Sequence, residues 1–438
     1  MPPSSALADD PRPQVLIIGG GFGGLAVARE LRRAPVRVVL VDRSNHHLFQ
    51  PLLYQVAIAM LAPAEIATPL RQVLGRQANA MVLLAEVTGV DTSRRLTRLR
   101  TGAGEIQELP YHYLVVATGA RHSYFGHPEF AAHSHGLKSL PDALAVRDGV
   151  LRAFETAELE TDPAVQRELL TFVLVGAGPT GVEMAGAIAE LRRFTLRSDF
   201  RRINPRTARI LLIEAAPRIL LSFPETLAQR ARERLEALGV EVLTGKPVER
   251  IDANGVVVGG EHIGSRTVIW TAGVEASPAG LWLGAATDRA GRVRVGPDCS
   301  VPGLPDVFVI GDTASFEQDG QPLPGVAQVA MQQGRYVAGV ILARIQGDPA
   351  PPPFRYRNLG NMAIVGRGFA LLDKDRFRMS GYVAWLAWAL VHIYQLAAFM
   401  NRLRVMVQWA WAYITRQHGS RLIYDPRGVV GLHQKEEG

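Results

Sequence analysis

The sequence predicts an α/β protein with two Rossmann-like dinucleotide-binding domains and a helical C-terminal segment. The glycine pattern GxGxxG occurs at residues 19–24 and again at residues 176–181, and each copy follows a short apolar run. An apolar strand that leads through three glycines into a helix is typical of a dinucleotide-binding βαβ unit. From residue 355 onward, basic residues and tryptophans surround an uncharged apolar stretch, which sets the C-terminal segment apart.

The composition limits the classes of protein to consider. The 438 residues are 47% hydrophobic, enough for two or three domains with their own cores. The first residues contain no basic start followed by an apolar segment, so we expect no signal peptide and a location on the cytoplasmic side. Cys299 is the only cysteine. An intramolecular disulfide, a CxxC redox pair and a cysteine-bound iron–sulfur cluster are therefore excluded.

The first glycine cluster joins a buried strand to an amphipathic helix. Gly19 permits the tight turn, Gly21 lets the backbone approach a pyrophosphate, and Gly24 lets the helix pack on the strand. The N-terminus of the helix then faces the phosphates. Asp42 ends the next apolar run, where a carboxylate can bind a ribose hydroxyl.

Further strands are predicted between the two glycine clusters. Pro51 excludes a central strand in residues 44–57 and favours a fixed loop. Residues 81–90 and 96–100 are predicted strands of a small meander. The run YLVVATG, residues 113–119, is another buried strand, and its terminal glycine predicts that the backbone passes close to the same dinucleotide.

The second glycine cluster repeats the first. Gly176, Gly178 and Gly181 occupy the pattern after a β run, and Gly273 ends a later strand in the same manner as in the first unit. Glu214 ends the next strand, where a carboxylate binds the ribose diol of NADH and repels the 2′-phosphate of NADPH. One GxGxxG is weak evidence, but two copies in the same context disfavour ordinary glycine turns.

A later strand, residues 307–310, ends in Gly311 and Asp312 and is expected to return to the first sheet. There the Asp312 carboxylate can bind the hydroxyls of a long polyol chain, which FAD has and NAD lacks. This argument assigns FAD to the first site and NADH to the second. An N-cap or turn role for Asp312 is the alternative.

The next predicted helix, residues 326–345, carries two amides on one face. Gln328 and Gln332 are four residues apart, so both can serve one ligand. If the helix N-terminus points at the isoalloxazine, its dipole favours negative charge on a reduced flavin. Solvated surface glutamines are the alternative. The proline run at residues 349–353 marks a linker into the C-terminal segment.

The C-terminal segment is expected to contact a membrane. From residue 355 to the end it holds 12 Lys/Arg and 5 Asp/Glu, together with four of the six tryptophans, and residues 381–400 carry no charge. Clustered arginine and tryptophan beside apolar helices suit an anionic membrane surface better than nucleic acid. His392 and the Arg402/Arg404 pair interrupt the apolar pattern, which favours two amphipathic helices in the interface. One spanning helix and burial as ordinary core are the alternatives.

Eight motifs together resemble one family. They are GGGFGG, HHLFQPLLYQVA, LVVATGA, VGAGPTGVEMAGAIAE, TVIWTAGV, VFVIGDTA, LPGVAQVAMQQG and VHIYQLAAFMNR. From residue 14 to residue 424 the chain is similar to type II NADH dehydrogenase, the single-subunit, non-proton-pumping NADH:quinone oxidoreductase of the two-dinucleotide-binding-domain flavoprotein superfamily. The resemblance implies a glutathione-reductase-like flavoprotein architecture. Met400 stands where the family tail has arginine.

The resemblance implies FAD as the cofactor and hydride transfer from NADH to FAD, followed by two electrons to membrane ubiquinone or menaquinone, without proton pumping. It also implies a homodimer that is peripheral on the cytoplasmic side of the cell inner membrane, with no nucleic acid partner and no metal. The expected domains are residues 1–125 and 286–350 for FAD, residues 126–285 for NADH, and residues 351–438 for a membrane anchor with amphipathic helices.

The matched motifs also imply site residues. Glu183 matches a family glutamate in the coupled hydride and proton chemistry, with a plain acid at a helix N-terminus as the alternative. Gln328 and Gln332 match the quinone-site glutamines. The FAD contacts expected are Gly19, Gly21, Phe22, Gly23, Gly24, Asp42, Arg43, Gln50, Pro51, Leu52, Ala117, Thr118, Gly119, Gly311, Asp312, Ala327 and Gln328. The NADH contacts expected are Gly176, Gly178, Pro179, Thr180, Gly181, Glu183, Glu214, Ala272 and Gly273.

Two other functions remain open. A flavoprotein reductase for a soluble acceptor such as ferredoxin would share both glycine clusters but has no need of the tryptophan-rich tail. A non-catalytic NADH-responsive flavoprotein would keep the cofactors and turn over slowly with quinone. Sulfide:quinone oxidoreductase, a close architectural relative, requires redox cysteines that Cys299 alone cannot supply.

Overall fold

A computed structural model describes residues 11–396, 398–415 and 417–424. The N-terminal residues on which the signal-peptide expectation rests lie outside these ranges. The last basic residues of the tail lie outside them as well. The chain divides into two compact units. The first comprises residues 1–48, 67–121 and 274–359, and the second comprises residues 49–66, 122–273 and 360–438.

The helices lie in both units. They are α1 (Phe22–Glu30), α2 (Leu53–Ala57), α3 (Pro63–Ile66), α4 (Leu70–Leu74), α5 (Leu140–Leu159), α6 (Pro163–Leu169), α7 (Pro179–Glu190), α8 (Glu225–Ala237), α9 (Ala279–Leu283), α10 (Ala327–Gln346), α11 (Tyr382–Gln395) and α12 (Phe399–Thr415). Short 3₁₀ turns lie at Leu31–Arg33, Gln50–Leu52, Pro128–Ala132, Pro205–Thr207 and Gly311–Thr313, and a π turn lies at Leu191–Thr195.

The strands form two large sheets and several small ones. Those of the larger sheets and of the C-terminal sheet are β1 (Gln14–Ile18), β2 (Arg37–Asp42), β3 (Ala80–Asp91), β4 (Leu96–Thr101), β5 (Ile106–Pro110), β6 (Tyr113–Val116), β7 (His135–Gly136), β8 (Thr171–Val175), β9 (Arg209–Glu214), β10 (Glu241–Thr244), β11 (Thr267–Trp270), β12 (Ser300–Val301), β13 (Leu304–Val309), β14 (Asn361–Ile364), β15 (Ala370–Lys374) and β16 (Phe377–Gly381). Shorter strands lie at His46–Leu48, Ala67–Pro69, Ala120–His122, Val248–Asp252, Gly255–Val258, Glu261–Gly264, Val274–Ala276, Val293–Arg294, Ala314–Ser315, Glu317–Gln318 and Gln321–Pro322.

The first unit contains an eight-stranded sheet in the order β12-β13-β6-β1-β2-β3-β4-β5. Strands β13, β6, β1, β2 and β3 pair in parallel, and Val116 of β6 lies opposite both Ile18 and Val309. All five residues of β1 are buried, as expected for a strand that is covered on both faces. Because parallel strands end at the same edge, the loops after β1, β2, β6 and β13 lie together. The strand before Asp312 thus returns to the first sheet, as predicted.

Two glycines allow α1 and α10 of this unit to pack closely. A Cβ atom on Gly334 would lie 2.5 Å from the carbonyl oxygen of Gly23 and 3.0 Å from the Cβ of Ala26. A Cβ atom on Gly23 would lie 3.0 Å from the Cδ1 of Ile310. The glycine that ends the motif AQVAMQQG is therefore required for helix packing, and it brings α10 against the helix of the first glycine turn.

The second unit repeats this plan around a five-stranded parallel sheet in the order β7-β11-β8-β9-β10. Val175 at the end of β8 lies between Ile213 of β9 and Trp270 of β11. The loops after these three strands therefore share one edge. Helix α7 begins directly after the second glycine cluster, as α1 does after the first. The predicted α/β fold with two Rossmann-like sheets is confirmed.

The uncharged run at residues 381–400 forms parts of two helices. Helix α11 ends at Gln395 and α12 begins at Phe399, so the run is not one long helix. Among the described residues, no helix combines the length and hydropathy that crossing a membrane requires. Burial as core is also contradicted, because many large apolar side chains of both helices are exposed. These are Tyr382, Val383, Leu386, Leu390, Val391, Tyr394, Phe399, Met400, Leu403, Met406, Val407, Trp411, Tyr413 and Ile414.

Helix α12 is attached to residues 53–66 of the second unit. The indole N–H of Trp409 donates to the Oε1 atom of Gln55 at 2.7 Å. The amide of Asn401 donates to the carbonyl oxygen of Ala64 at 3.3 Å. The predicted domain ranges, which stay predictions, assign residues 53–66 to the FAD domain and the tail to a domain of its own.

We expect Gly334→Ala to destabilise the protein, because the new Cβ atom meets the backbone of Gly23. Overpacking of this kind costs about 1–3 kcal/mol. Gly339→Ala is the matched control on the same helix, since a Cβ atom there meets nothing within 4 Å. Replacing glycine by alanine in an open helical position stabilises by up to about 1 kcal/mol. Thermal unfolding of both variants measures the difference, and equal midpoints would contradict the close helix packing.

Candidate functional site

The first glycine turn has three different steric requirements. Gly19 has φ +105°, and a Cβ atom on it would lie 2.3 Å from the carbonyl oxygen of Ala117. A Cβ atom on Gly24 would lie 1.9 Å from the carbonyl oxygen of Gly19. A Cβ atom on Gly21 would meet nothing within 4 Å. The first and third glycines therefore close the turn, and the second leaves open space beside the N-terminus of α1.

Both backbone groups of Gly20, its N–H and its carbonyl, are bound by side chains in this turn. Its N–H donates to Oδ2 of Asp42 at 2.6 Å, and the N–H of Ser44 donates to Oδ1 of the same carboxylate at 2.6 Å. Its carbonyl oxygen lies 3.0 Å from Nδ1 of His47, a buried side chain that packs edge-on against Phe22. Burial lowers the pKa of His47, which favours the neutral ring with a proton on Nδ1. The sequence analysis did not identify His47.

Other predicted FAD residues lie along the same edge of the sheet. Thr118 bonds through its hydroxyl to the hydroxyls of Ser277 and Thr313. The N–H of Gly311 donates to Oε1 of the buried Gln333 at 2.7 Å. This bond joins the loop after β13 to α10, which begins at Ala327.

Asp312 lies in the short 3₁₀ turn after β13, and its carboxylate caps no helix. It lies next to Gly325, where a Cβ atom would be 3.3 Å from Oδ1 of Asp312. The N-cap half of the alternative for Asp312 is therefore wrong, whereas its place in a turn agrees with the other half. The carboxylate stands at the sheet edge where the sequence argument needs an acceptor for polyol hydroxyls.

These features fit FAD. The N-cap residue of α1 is Gly21, which has no side chain to occupy the helix N-terminus, and the first turn contains no acidic residue. An open helix N-terminus favours a diphosphate. The carboxylate of Asp42 retains lone pairs for ribose hydroxyls in addition to the two backbone donors.

Three of the predicted FAD residues belong to the second unit. Gln50, Pro51 and Leu52 form a 3₁₀ turn in the second unit, where Nε2 of Gln50 donates to the carbonyl oxygen of Lys138 at 3.0 Å. Leu52 is fully buried there. Arg43, which follows Asp42, is exposed.

The second glycine turn has the same three steric requirements as the first. Gly176 has φ +98°, and a Cβ atom on it would lie 2.6 Å from the N and Cα atoms of Ala272. A Cβ atom on Gly181 would lie 1.9 Å from the carbonyl oxygen of Gly176. A Cβ atom on Gly178 would meet nothing within 4 Å, so the space beside the N-terminus of α7 is open as well. Pro179 and Thr180, which start this helix, are exposed.

Glu214 has the role in this turn that Asp42 has in the first. Its Oε2 accepts from the N–H of Ala177 at 2.7 Å, and its Oε1 accepts from the N–H of Ala216 at 2.9 Å. Both oxygens keep a lone pair for a ribose diol. The carboxylate therefore fixes the loop and can also carry the discrimination against a 2′-phosphate.

Glu183 is half-buried on α7. It is the fifth residue of that helix, beyond the first turn. Its Oε1 accepts from the N–H of Ile364 at 3.3 Å. Desolvation raises the pKa of Glu183 to about 8, so the carboxyl is neutral at pH 7. A neutral acid gains nothing from the helix dipole, and the alternative of a plain helix N-terminal acid is therefore wrong.

Glu183 borders a cavity of about 90 Å³ inside the second unit, partly open to solvent. Aromatic side chains form much of its wall, which comes from α2, α7, α11 and α12 and from segments between the helices. The wall includes Tyr54, Gln55, Glu190, Arg367, Trp385, Trp388, Trp409, Tyr413 and His418. Trp388 is fully buried and stacks on Trp409 with ring centroids 5.2 Å apart. The tryptophans of the C-terminal segment are the sequence feature that indicates this cavity. The sequence analysis predicts a membrane contact from them and no cavity.

The two predicted quinone-site glutamines bind the backbone of one segment. Gln332 is engaged at both ends of its amide, because Nε2 donates to the carbonyl oxygen of Arg357 at 2.9 Å and Oε1 accepts from the N–H of Arg357 at 3.0 Å. The Oε1 atom of Gln328 accepts from the N–H of Leu359 at 3.1 Å and from the hydroxyl of Tyr356 at 3.3 Å. The two amides share a face as predicted, but Gln332 has a backbone role that the sequence analysis did not foresee.

The similarity to known proteins extends over nearly the whole chain. The family model for pyridine nucleotide-disulphide oxidoreductases matches residues 13–334, a range that contains both glycine turns. The type II NADH:quinone oxidoreductase Ndh of Mycobacterium tuberculosis is 44% identical over 430 residues, which cover 96% of this chain and 92% of the relative. The chain belongs to the type II NADH:quinone oxidoreductase family. The family prediction from the sequence motifs is thus confirmed.

Two further matches support the membership in the type II NADH:quinone oxidoreductase family. The enzyme NdhA of the same bacterium is 40% identical over 449 residues, which cover 98% of this chain and 94% of the relative. The structure of NDH2 from Plasmodium falciparum in complex with NADH superposes with a TM-score of 0.86 at 18% identity, covering 94% of this chain and 100% of the other. At that identity the match shows the shared fold.

The disulphide in the name of the wider family has no counterpart in this member of the type II NADH:quinone oxidoreductase family. Cys299 is the only cysteine of the chain. It is fully buried, and burial raises the pKa of its thiol. A buried, protonated thiol is inert toward exchange.

We expect Glu214→Gln to raise the use of NADPH relative to NADH. The change removes the negative charge that repels a 2′-phosphate while one amide oxygen still accepts from the loop. The ratio of kcat/KM for NADPH to that for NADH should rise about ten-fold or more, since a hydrogen bond to a charged group is worth about 1.5–3 kcal/mol. Glu225→Gln, an exposed acid at the start of α8, is the control and should leave the ratio unchanged. An unchanged ratio in both variants would remove Glu214 as the selectivity residue.

The raised pKa of Glu183 predicts a pH-dependent stability. Between pH 4.5 and about 8 the folded state holds a proton that the unfolded state has released, so folding stability falls as pH rises through this range. The slope approaches about 1.4 kcal/mol per pH unit for one proton. Glu183→Gln removes this contribution. The melting temperature of the variant minus that of the wild type should therefore increase from pH 5 to pH 8, and a constant difference would contradict the raised pKa.

Proposed function

We propose that this chain is an FAD-dependent NADH:quinone oxidoreductase of the non-proton-pumping type. One observation carries the proposal. A single chain builds two complete dinucleotide turns, each with an open helix N-terminus and a carboxylate held at the end of the neighbouring strand. Asp312 at the first turn favours FAD there, and Glu214 at the second favours NADH. Membership in the type II NADH:quinone oxidoreductase family supports the same assignment.

The reaction requires a proton from the protein or the solvent. When bound, FAD would accept the hydride of NADH and return two electrons to a quinone. The balance is NADH + H⁺ + quinone giving NAD⁺ + quinol, so one proton comes from neither substrate. Glu183 holds a proton at pH 7 because it is desolvated. Since its Oε1 accepts from the backbone of Ile364, the proton resides on Oε2.

The cavity beside Glu183 suits an apolar, planar acceptor. Its stacked rings Trp388 and Trp409 provide flat apolar surface, and Tyr54 closes it on another side. We assign Glu183 as the group that supplies a proton to this acceptor. Solvent then reprotonates the carboxylate through the open part of the cavity.

In the first unit, we propose that Gln328 takes part in the reduction of the quinone. Two donors hold its carboxamide oxygen, which fixes the direction of its NH₂ group. We infer that the transfer of electrons to the quinone depends on the carboxamide held in this position. Gln332 then acts indirectly, because it holds the segment of Tyr356 and Arg357 in place.

The test is an anaerobic titration of the purified protein followed by its flavin absorbance. NADH should bleach the flavin, and a short-chain ubiquinone or menaquinone should restore it. Gln328→Ala should bind FAD and bleach normally but regain its absorbance at least about ten-fold more slowly, the cost of losing one hydrogen bond to a reacting group. Gln346→Ala, at the end of the same helix, is the control. Bleaching that ferredoxin but no quinone reverses would favour a soluble acceptor, and no bleaching would overturn the proposal.

We further propose that the apolar faces of α11 and α12 place the protein on the cytoplasmic side of a membrane. Exposed Leu390 and Ile414 lie on helices that also present Arg402 and Arg404, the arrangement of an interfacial anchor. A reductase for a soluble acceptor has no need of such a surface. The expected homodimer and the four domain ranges stay predictions.

We expect the triple change Leu386→Glu, Leu390→Glu and Ile414→Glu to release the protein from vesicles. Burial of each such side chain contributes about 1.5–3 kcal/mol, and a carboxylate removes it. Sedimentation with vesicles that contain anionic phospholipid should fall at least about ten-fold. Leu159→Glu, on another exposed apolar residue of the second unit, should sediment like the wild type. Unchanged sedimentation of the triple variant would refute the assigned face.

A further inference from the structure

Phe125 of the second unit combines exposure with a strained backbone. Its side chain is 67% exposed, so it contributes little to any core. Its φ is +51°, a left-handed value that bulky residues rarely adopt, and Gly126 follows at φ +90°. Strained positions of this kind cluster at ligand-binding sites, where the surrounding structure holds them.

Hydrogen bonds hold the loop that carries Phe125. The indole N–H of Trp270 donates to the carbonyl oxygen of Ser123 at 2.9 Å. The N–H of Ser123 donates to the carbonyl oxygen of Gly273 at 3.4 Å. The N–H of Phe125 donates to the Oγ atom of Ser123 at 3.4 Å. The loop is thereby attached to the end of β11, and Phe125 projects from an anchored base.

The phenyl ring lies against the second glycine turn. A Cβ atom on Gly273 would lie 2.3 Å from the Cζ atom of Phe125, so the ring occupies the space that a side chain at position 273 would take. The neighbouring Ala272 is in turn the residue that Gly176 approaches most closely. The ring therefore borders the turn that we assign to NADH.

The strand order indicates which half of NADH reaches this ring. Strand β8 lies between β9, which ends in Glu214, and β11, which leads to Gly273. A dinucleotide lies across the carboxyl ends of these strands, with its pyrophosphate at the helix N-terminus. If Glu214 binds the adenosine ribose on one side, the nicotinamide half extends toward the other side, where Phe125 stands.

We propose that Phe125 is a binding residue for the nicotinamide half of NADH, against whose ring it packs. The inference rests on the proposed function, because it takes the second turn as the NADH site. An exposed phenyl ring offers a flat apolar face, and contacts between such a face and a planar ring are favourable in offset or edge-on geometry. Binding would cover the exposed ring. It would thereby account for the strained backbone at Phe125, which packing within the protein does not explain.

The test compares two ligands that cannot reduce the flavin. Tetrahydro-NADH keeps a nicotinamide-derived ring, and ADP-ribose lacks it. Calorimetry on the FAD-loaded protein should show that Phe125→Ala raises the Kd for tetrahydro-NADH about three- to ten-fold. The Kd for ADP-ribose should stay within about two-fold of the wild type, as expected for a ligand that does not reach the ring. Phe125→Tyr should bind both ligands like the wild type, and Leu159→Ala is the control for losing an exposed apolar side chain.

Each other outcome has a definite meaning. Equal weakening for both ligands would overturn the inference, because it would assign Phe125 to the shape of the turn. No weakening for either ligand would overturn it as well. If the wild type binds neither ligand, the proposed NADH site itself fails, whereas binding by the wild type without any effect of Phe125→Ala removes only the role of Phe125.

Discussion

Both dinucleotide turns depend on one steric constraint, the approach of the third glycine to the carbonyl oxygen of the first. A Cβ atom on Gly24 or Gly181 would lie 1.9 Å from that oxygen, a distance no side chain tolerates. The approach brings the helix N-terminus over the end of the parallel strand. Asp42 and Glu214 can then bind the backbone of their own turns, because the neighbouring strand ends at the same edge. Any residue other than glycine would move the helix away and separate these groups.

The parts of the fold that could be predicted are those that depend on residues close together in the sequence. The glycine turns, the strand that returns before Asp312 and the helix at Ala327–Gln346 follow from runs of apolar residues and from glycine spacing. The predicted start of that helix differs from the observed one by a single residue. In contrast, the bonds of Gln332 to Arg357 join positions 25 residues apart, and no periodicity of the sequence reports such a pair.

Glu183 shows why the chemistry of a site is harder to predict than its place. The resemblance to a family identified the position, but the sequence left open an ordinary acid at a helix N-terminus. What decides is desolvation beside a cavity whose wall includes Trp388, about two hundred positions away in the sequence. That burial raises the pKa of the carboxyl to about 8 and leaves it uncharged. The same long-range folding hid His47, whose partner is a glycine carbonyl rather than another side chain.

Helices α11 and α12 have two surfaces with different tasks. Trp385, Trp388 and Trp409 border the cavity of Glu183, whereas Leu390 and Ile414 are exposed on the same helices. The bond from Trp409 to Gln55 ties these helices to another wall of that cavity. A detergent or lipid that covers the exposed surface would therefore pack against the same helices that form the cavity wall. The amphiphile in a preparation of this protein should therefore be matched between samples as carefully as pH or salt.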